Sequence, residues 1–345
     1  MKPTPHLKPL SEQVVVVLGA STGIGRESAL RLAERGAKLV VAARNESALQ
    51  SLTDQIVSDG GQAVHVVCDV VDPVQVEAVA QAAVDTFGRI DTWVNVAAVL
   101  VQAPFGETEP EEFRRLMEVN YLGQVHGALA ALPRLREAGG GALIAISSVE
   151  GLVATPWQSA YSASKHAVEG VIDGLRRDLR AEGVPISVTS IKPATINTPL
   201  FTNAGHNMAV EPQGPPPVYP PSVVADCVVY AAEHPVRDLW AGGAARALAL
   251  GQGFAPRLMD AVLARIVPLE RSSNPDPGGF PGTLFAPRPE EDRTEGDLSA
   301  QARTFSAYTW WQTHPRTRSL LTTGALTGLA LALSRRRAGG ALRVC

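Results

Sequence analysis

Short apolar runs alternate with helical patterns along residues 14–190, and this alternation constrains the fold more than any other feature of the sequence. The first run is "VVVVL" at 14–18, a helical pattern follows at 25–36, and the last run is "ISVTSIKP" at 186–193. Short unalternating strands between helices indicate a parallel sheet with helices on both faces. The prediction is an α/β fold with a doubly wound parallel sheet, whose ligands bind beyond the carboxyl ends of the strands.

Composition changes in the second half of the chain. The stretch "EPQGPPPVYPPS" at 211–222 contains six prolines and predicts a stiff loop or lid. Residues 271–300 are rich in Pro, Gly and charged residues, so we expect a disordered linker there. The weakly apolar stretch in 319–337 is shorter than the about 20 residues of a bilayer span. It could contact a membrane, remain flexible or pack as a helix. We predict one domain over 1–265 and a C-terminal extension, a linker with a tail, over 266–345.

Charge and cysteine content argue against several classes of protein. The formal net charge is -3, which gives no electrostatic reason to expect a nucleic-acid partner. The cysteines Cys68, Cys227 and Cys345 lack paired spacing, so neither a disulfide framework nor a zinc site is expected. The histidines show no ligand spacing, and no metal is predicted. These features favour a reducing, cytoplasmic location.

The turn "LGASTGIG" at 18–25 joins the first strand to the first helix. Its glycines permit a tight turn and a close backbone approach, and the helix N-terminus offers free N–H groups to a pyrophosphate. A glycine turn without a ligand is the alternative, but its place between an apolar strand and an amphipathic helix favours a Rossmann-type dinucleotide site. The residues predicted to bind the cofactor here are Gly19, Ser21, Thr22, Gly23, Ile24 and Gly25.

The second strand ends in "LVVAARN", which carries Arg44 and no carboxylate. A carboxylate here would bind the ribose 2′-hydroxyl, whereas an arginine can bind a 2′-phosphate. We therefore predict NADP(H) as the preferred cofactor and NAD(H) as the second choice, with a solvated surface arginine as the alternative interpretation. After the third strand, Asp69 would accept a hydrogen bond from the adenine amino group, and the Val70 backbone would contact the ring. An acidic helix cap is the rival interpretation of Asp69.

Tyr161 and Lys165 in "YSASK" lie one turn apart on one face if this segment is helical. A phenol has a pKa near 10, and an ammonium within about 4–6 Å favours the phenolate. Such pairs are also common on solvated helix surfaces. Two polar residues favour proton transfer instead. Ser148 ends a predicted central strand, and Asn120 lies inside a long predicted helix at 110–136, where asparagine is unfavourable.

Together these motifs resemble the short-chain dehydrogenase/reductase family over about residues 11–255. The resemblance rests on the glycine turn, "NVAA" at 95–98, Asn120, Ser148, Tyr161-x-x-x-Lys165 and "KPATINTPL" at 192–200.

The resemblance assigns roles to the catalytic set. Tyr161 becomes the general acid/base, and Lys165 lowers its pKa and binds the nicotinamide ribose. Ser148 positions the substrate oxygen, and Asn120 holds a water that links Lys165 to solvent. The resemblance adds further cofactor contacts from Asn95, Ala97, Pro193, Ile196 and Thr198.

Three positions depart from the family's pattern. Leu18 stands where Thr is usual, "NVAA" replaces Asn-Asn-Ala-Gly, and Ala194 replaces a glycine after Pro193. These changes concern backbone geometry and cofactor affinity, and the proton-transfer residues are intact.

The function that these residues predict is an NADP(H)-dependent oxidoreductase that moves a hydride between the nicotinamide and a small-molecule carbonyl or alcohol. The alternative is a non-catalytic NADP(H)-binding scaffold or sensor that uses its tail to hold a partner or a membrane. By analogy with the family, we expect a homodimer or homotetramer.

Overall fold

A seven-stranded sheet forms the centre of the protein in a computed structural model, which describes residues 5–276, 280–315 and 317. The strands are β1 (Val14–Leu18), β2 (Lys38–Ala43), β3 (Gln62–Val67), β4 (Thr92–Asn95), β5 (Val101–Gln102), β6 (Gly141–Ile146), β7 (Ile186–Pro193), β8 (Thr195–Ile196), β9 (Gly205–His206), β10 (Val210–Pro212), β11 (Val218–Tyr219), β12 (Asp238–Ala241) and β13 (Arg271–Pro275). The α-helices are α1 (Gly23–Glu34), α2 (Glu46–Ser58), α3 (Pro73–Phe87), α4 (Pro110–Leu116), α5 (Gly123–Glu137), α6 (Ser159–Glu182), α7 (Ser222–Glu233), α8 (Gly243–Phe254), α9 (Pro256–Leu263) and α10 (Ala307–Thr313).

The central sheet has the strand order β12-β7-β6-β4-β1-β2-β3, and every neighbouring pair is parallel. The chain winds outward from β1 in both directions, since β1 pairs with β2 on one side and with β4 on the other. This reversal opens a crevice at the carboxyl ends of the two strands, where ligands bind in such sheets. The other strands form three short pairs outside the sheet.

Apolar side chains cover both faces of this sheet, which explains the unalternating strand sequences. Val14–Leu18 is buried along its whole length. One face packs against α3, α5 and α6, with Trp93 and Leu135 among its buried residues, and the other packs against α1, α2 and α7 around Leu32 and Leu49. β-Branched residues suit such strands because they pack well on a pleated surface. The predicted doubly wound α/β fold is confirmed.

The long helix predicted at 110–136 has a break in its hydrogen-bond pattern. The α4 helix ends at Leu116, a π-helical segment covers Met117–Leu122, and α5 follows directly. Asn120, a poor α-helix former, lies in the π segment and is fully buried. Short π segments inside helices are frequent at functional sites.

Residues 280–298, which we call the C-terminal strap, cross the carboxyl edge of the sheet and are hydrogen-bonded to it. Leu284 of the strap is buried in the main core cluster. Upstream, β13 pairs with β10. The expectation of a disordered linker over 271–300 is therefore wrong for the described part of this segment. The prediction failed because this segment has few apolar residues. Many of its hydrogen bonds to the rest of the chain are accepted by its backbone carbonyls, which the side-chain composition does not reveal.

The weakly apolar tail predicted at 319–337 lies outside the described residues. Within the described part of the chain, no helix combines the length and apolar character needed to cross a membrane. The division of the chain at residue 265 stays a prediction.

Candidate active site

The glycine turn places the start of α1 close to the ends of β2 and β4, the strands on either side of β1. Gly19 has φ +98°, and a Cβ there would collide with the backbone of Ala97, so neither the conformation nor the space allows a side chain. A Cβ on Gly25 would collide with the carbonyl of Gly19. This close packing places the first turn of α1, whose N–H groups have no partner within the helix, at the crevice.

A cavity of about 480 Å³ begins at this turn and extends past the ends of β4 and β6. It brings together most of the residues predicted from the sequence, namely Gly19, Ser21, Thr22, Gly23, Ile24, Arg44, Asp69, Val70, Ala97, Ser148, Tyr161, Lys165, Pro193, Ile196 and Thr198. Three predicted residues, Gly25, Asn95 and Asn120, do not line it.

The proton-transfer residues meet at the inner end of the cavity. Ser148 follows β6, and its Oγ accepts a hydrogen bond from the Glu150 N–H at 3.1 Å. Tyr161 and Lys165 lie one turn apart in the first half of α6, and both are buried. The Lys165 Nζ donates to the Ile146 carbonyl at 3.1 Å and lies 5.6 Å from the centre of the Tyr161 ring.

The pKa of Tyr161 lies above its ordinary value. Burial is the main cause, the negative charge of Glu150 adds to it, and a hydrogen bond with Ser148 acts in the opposite direction. The net direction differs from the expectation that Lys165 lowers this pKa. Burial lowers the pKa of Lys165 to about 8, against the raising effects of Glu169 and Glu150. At neutral pH the site therefore favours a neutral phenol next to an ammonium.

Asn120 is bonded to protein groups that border the cavity. Its side-chain oxygen accepts from the Val99 N–H at 2.8 Å, and its side-chain nitrogen donates to the Val99 carbonyl at 2.9 Å and to Ser164 Oγ at 3.1 Å. These bonds tie the π segment to the loop after β4 and to the start of α6. Asn120 thereby supports the helix that carries Tyr161, and the predicted water relay stays a prediction.

Asn95 has a different environment from the predicted one. Its side-chain oxygen accepts from Trp93 Nε1 at 2.8 Å, and its side-chain nitrogen donates to the Gln124 carbonyl at 3.2 Å. A Cβ on Gly127 would collide with this amide. The Asn95 side chain thus joins β4 to α5 and is buried away from the cavity.

Arg44 and Asp69 both line the outer end of the cavity. Arg44 Nη2 donates to the Thr283 carbonyl at 2.7 Å, whereas its buried Nη1 has no partner among the described residues. Asp69 forms an ion pair with Arg115 at 3.1 Å. A buried guanidinium N–H group without a partner is costly, and a phosphate oxygen would satisfy it. Together with the glycine turn, this arrangement fits a phosphorylated dinucleotide.

Two buried carboxylates, one that lines the cavity and a second that interacts with the first, were not predicted from the sequence. Glu150 lines the cavity, and burial raises its pKa to about 7. Glu270 is fully buried, and burial together with the charge of Glu150 raises its pKa to about 8. Gln102 Nε2 donates to Glu270 Oε2 at 3.2 Å. The position of Glu150 two residues after Ser148 was a usable signal, whereas nothing in the sequence links Glu270 to this place.

Apolar residues from the C-terminal helices also line the cavity and were not predicted as site residues. They are Leu248 of α8, Val262 and Leu263 of α9, and Ile266. Within the described residues, no cluster of three or more His, Cys, Asp or Glu side chains is placed to hold a metal ion.

The family model described as "short chain dehydrogenase" matches residues 13–209. This match covers the turn, six of the seven strands of the central sheet, and the Ser148, Tyr161 and Lys165 positions. The chain belongs to the short-chain dehydrogenase family. Members of this family are oxidoreductases that transfer hydride with NAD(P)(H) and act on CH–OH or C=O groups of small molecules.

Named relatives agree with this family membership. The chain is 40% identical over 275 residues to "Uncharacterized oxidoreductase YxnA" of Bacillus subtilis, a match that covers 78% of this chain and 77% of the relative. It is 38% identical over 199 residues to "Dehydrogenase/reductase SDR family member 7B" of Mus musculus, covering 56% of this chain and 61% of that protein. It is 32% identical over 233 residues to "Uncharacterized oxidoreductase Lmo0432" of Listeria monocytogenes, covering 66% and 92%.

Proposed function

We propose that this short-chain dehydrogenase is an NADP(H)-dependent carbonyl reductase or alcohol dehydrogenase with Tyr161 as its general acid/base. The observation that carries the proposal is that Ser148, Tyr161 and Lys165 line the same cavity as the glycine turn. A dinucleotide on the turn and a substrate oxygen at Tyr161 would thus share one enclosed space, as hydride transfer requires.

The residues of the cavity fit the two ends of such a dinucleotide. The N–H groups that follow Gly23 in the first turn of α1 would hold the pyrophosphate, since the Gly23 N–H donates to the Arg293 carbonyl, and Arg44 would hold the 2′-phosphate through Nη1. The nicotinamide ribose and ring belong at the inner end of the cavity, which is lined by Lys165, Pro193, Ile196 and Thr198. When bound, the cofactor supplies or accepts the hydride. NAD(H) is the second choice, because its adenosine ribose has no phosphate to pair with Arg44.

The raised pKa of Tyr161 keeps its phenol protonated at neutral pH, which is the form that carbonyl reduction requires. A neutral phenol can donate its proton to the substrate oxygen as negative charge develops there. The Ser148 hydroxyl would donate a second hydrogen bond to the same oxygen. The Lys165 ammonium then stabilises the phenolate that remains, and alcohol oxidation reverses these steps.

The walls around the reacting groups favour an apolar substrate. Leu248, Val262 and Ile266 line the cavity, and the polar side chains of Glu150, Thr155 and Gln158 line it as well. Burial of apolar substrate surface against such walls contributes roughly 25 cal/mol per Å². We therefore propose aldehydes and ketones with an apolar body as the substrate class.

The test is NADPH oxidation over a panel of apolar aldehydes and ketones, with Tyr161→Phe as the variant. Loss of a general acid lowers kcat by about 10²–10⁴-fold, and we expect NADPH binding to be retained because the phenylalanine ring still fills the site. Tyr308→Phe, at an exposed position in α10, is the matched control. Undiminished turnover in Tyr161→Phe would overturn the mechanism. Binding of NADPH without oxidation across the whole panel would favour the scaffold alternative.

A further inference from the structure

The C-terminal strap contacts the predicted cofactor residues through its backbone. Arg44 Nη2 donates to the Thr283 carbonyl at 2.7 Å, and Asn45 Nδ2 donates to the Arg288 carbonyl at 2.7 Å. The N–H of Gly23 in the glycine turn donates to the Arg293 carbonyl at 2.9 Å. Three separate points along the strap are therefore bonded to the turn and to the end of β2.

The strap is held in place by anchors that lie outside these contacts. Leu284 is 1% exposed in the main core cluster, and Arg115 Nε donates to its carbonyl at 2.9 Å. Gly282 has φ +64°, and a Cβ there would collide with the backbone of Gly205. The path of the strap over the sheet edge is thus fixed by core burial and by a close backbone crossing at β9.

The cavity remains open under the strap, so the strap forms part of the cavity wall and does not occupy the cavity. Thr283, Pro287, Arg288 and Glu291 line the same space of about 480 Å³ as the glycine turn. Arg288 places a second arginine on this space beside Arg44. A second arginine that lines the cavity suits a phosphorylated ligand.

We propose that the strap is the outer wall of the dinucleotide site, so that the cofactor enters and leaves only when the strap detaches from Arg44, Asn45 and the glycine turn. The inference rests on the proposed function, because it takes the cavity to be the NADP(H) site. It adds a part of the site that lies outside the residues matched by the family model, 13–209. Bound cofactor and docked strap stabilise each other, because Arg44 donates through Nη2 to the Thr283 carbonyl of the strap and keeps its buried Nη1 for the cofactor phosphate.

The first test is tryptic cleavage of the full-length wild-type protein after Arg293, with and without saturating NADPH. Arg293 is suited to this test because Thr294 follows it. Arg288 is not suited, because a proline follows it and trypsin cleaves such bonds poorly. We expect NADPH to slow cleavage at Arg293 at least fivefold. An equal cleavage rate with and without NADPH, in protein that binds NADPH, would overturn the proposal.

The second test is the rate of NADPH release, measured by stopped-flow fluorescence on full-length variants. Leu284→Ser removes the core anchor of the strap, and Leu129→Ser is the control because Leu129 is 63% exposed. We expect release at least tenfold faster in Leu284→Ser, with faster cleavage at Arg293, and wild-type values in the control. Faster cleavage at Arg293 with an unchanged release rate would overturn the proposal.

A second pair of variants covers the case in which Leu284→Ser does not fold. Gly282→Ala introduces the collision with Gly205, whereas Gly60→Ala has a similar positive φ of +87° but meets nothing within 4 Å. The rates of cleavage at Arg293 and of NADPH release are measured again, and we expect faster NADPH release than in the wild type for Gly282→Ala but not for Gly60→Ala. A wild-type protein that binds no NADPH would instead contradict the proposed function, so the two failures are distinguishable.

Discussion

Replacement of Glu270 by glutamine is expected to remove the pH dependence of stability that this buried carboxylate causes. Glu270 is 0% exposed, and one of its oxygens has no hydrogen-bond partner among the described residues. Burial, and then the charge of Glu150, raise its pKa from 4.5 to about 8. Because the folded protein holds this proton more tightly than the unfolded chain, stability is greatest below pH 4.5 for this group and falls as the pH rises to about 8.

The magnitude follows from the two pKa values. The difference between 4.5 and about 8 corresponds to roughly 5 kcal/mol of stability lost by pH 9. Glutamine has the same shape and never ionises, but its amide leaves a polar group in the same buried place at a cost of roughly 1–3 kcal/mol. Glu270→Gln should therefore be roughly 2–4 kcal/mol more stable than the wild type at pH 9 and slightly less stable at pH 5.

The assay is urea unfolding of both proteins from pH 5 to pH 9, with Glu137→Gln as the control because Glu137 is exposed. The wild type and the control should lose stability together as the pH rises, and the curve of Glu270→Gln should cross theirs. Parallel curves for all three proteins would refute the reasoning, since they would mean that Glu270 ionises as easily in the folded protein as in the unfolded chain.

Three further predictions concern single side chains. Arg44→Ala should weaken NADPH binding about 10- to 100-fold and NADH binding less than about twofold, as measured by fluorescence titration. Gly127→Ala should lower the free energy of unfolding by roughly 2 kcal/mol, because its Cβ collides with the Asn95 amide, whereas Gly174→Ala, which meets nothing within 4 Å, should raise it by up to about 1 kcal/mol. Glu150→Gln should shift the pH profile of alcohol oxidation to lower pH, because the charge of Glu150 raises the pKa of Tyr161, the proposed general acid/base.

The central fold was predictable because local sequence and global burial agree there. A run such as Val14–Leu18 has no polar alternation, and it is buried on both faces. The glycine turn was predictable for a similar reason, since the need for small residues at Gly19 and Gly25 is local to one strand–helix connection. Helical spacing predicts that Tyr161 and Lys165 lie one turn apart on one face, and Ser148 and Asn120 were needed to favour a proton-transfer pair over a solvated helix surface.

The remaining features depend on contacts between distant parts of the chain. The direction of the Asn95 side chain is set by Trp93 and α5, which a motif in an extended strand does not show. The strap has the composition of a disordered segment, and its order comes from side chains such as Arg44 and Asn45 that bond to its carbonyls. The burial of Glu270 near Glu150 likewise results from tertiary packing.

The most direct test of the central claim is the transfer of deuterium from NADPH that carries deuterium at both positions of the nicotinamide C4, so that either face donates the label. After turnover of an apolar ketone or aldehyde, the alcohol product is examined by mass spectrometry. The account predicts one deuterium on the former carbonyl carbon with wild-type protein and almost none with Tyr161→Phe. Product without the label, or equal labelled product from both proteins, would contradict hydride transfer assisted by Tyr161.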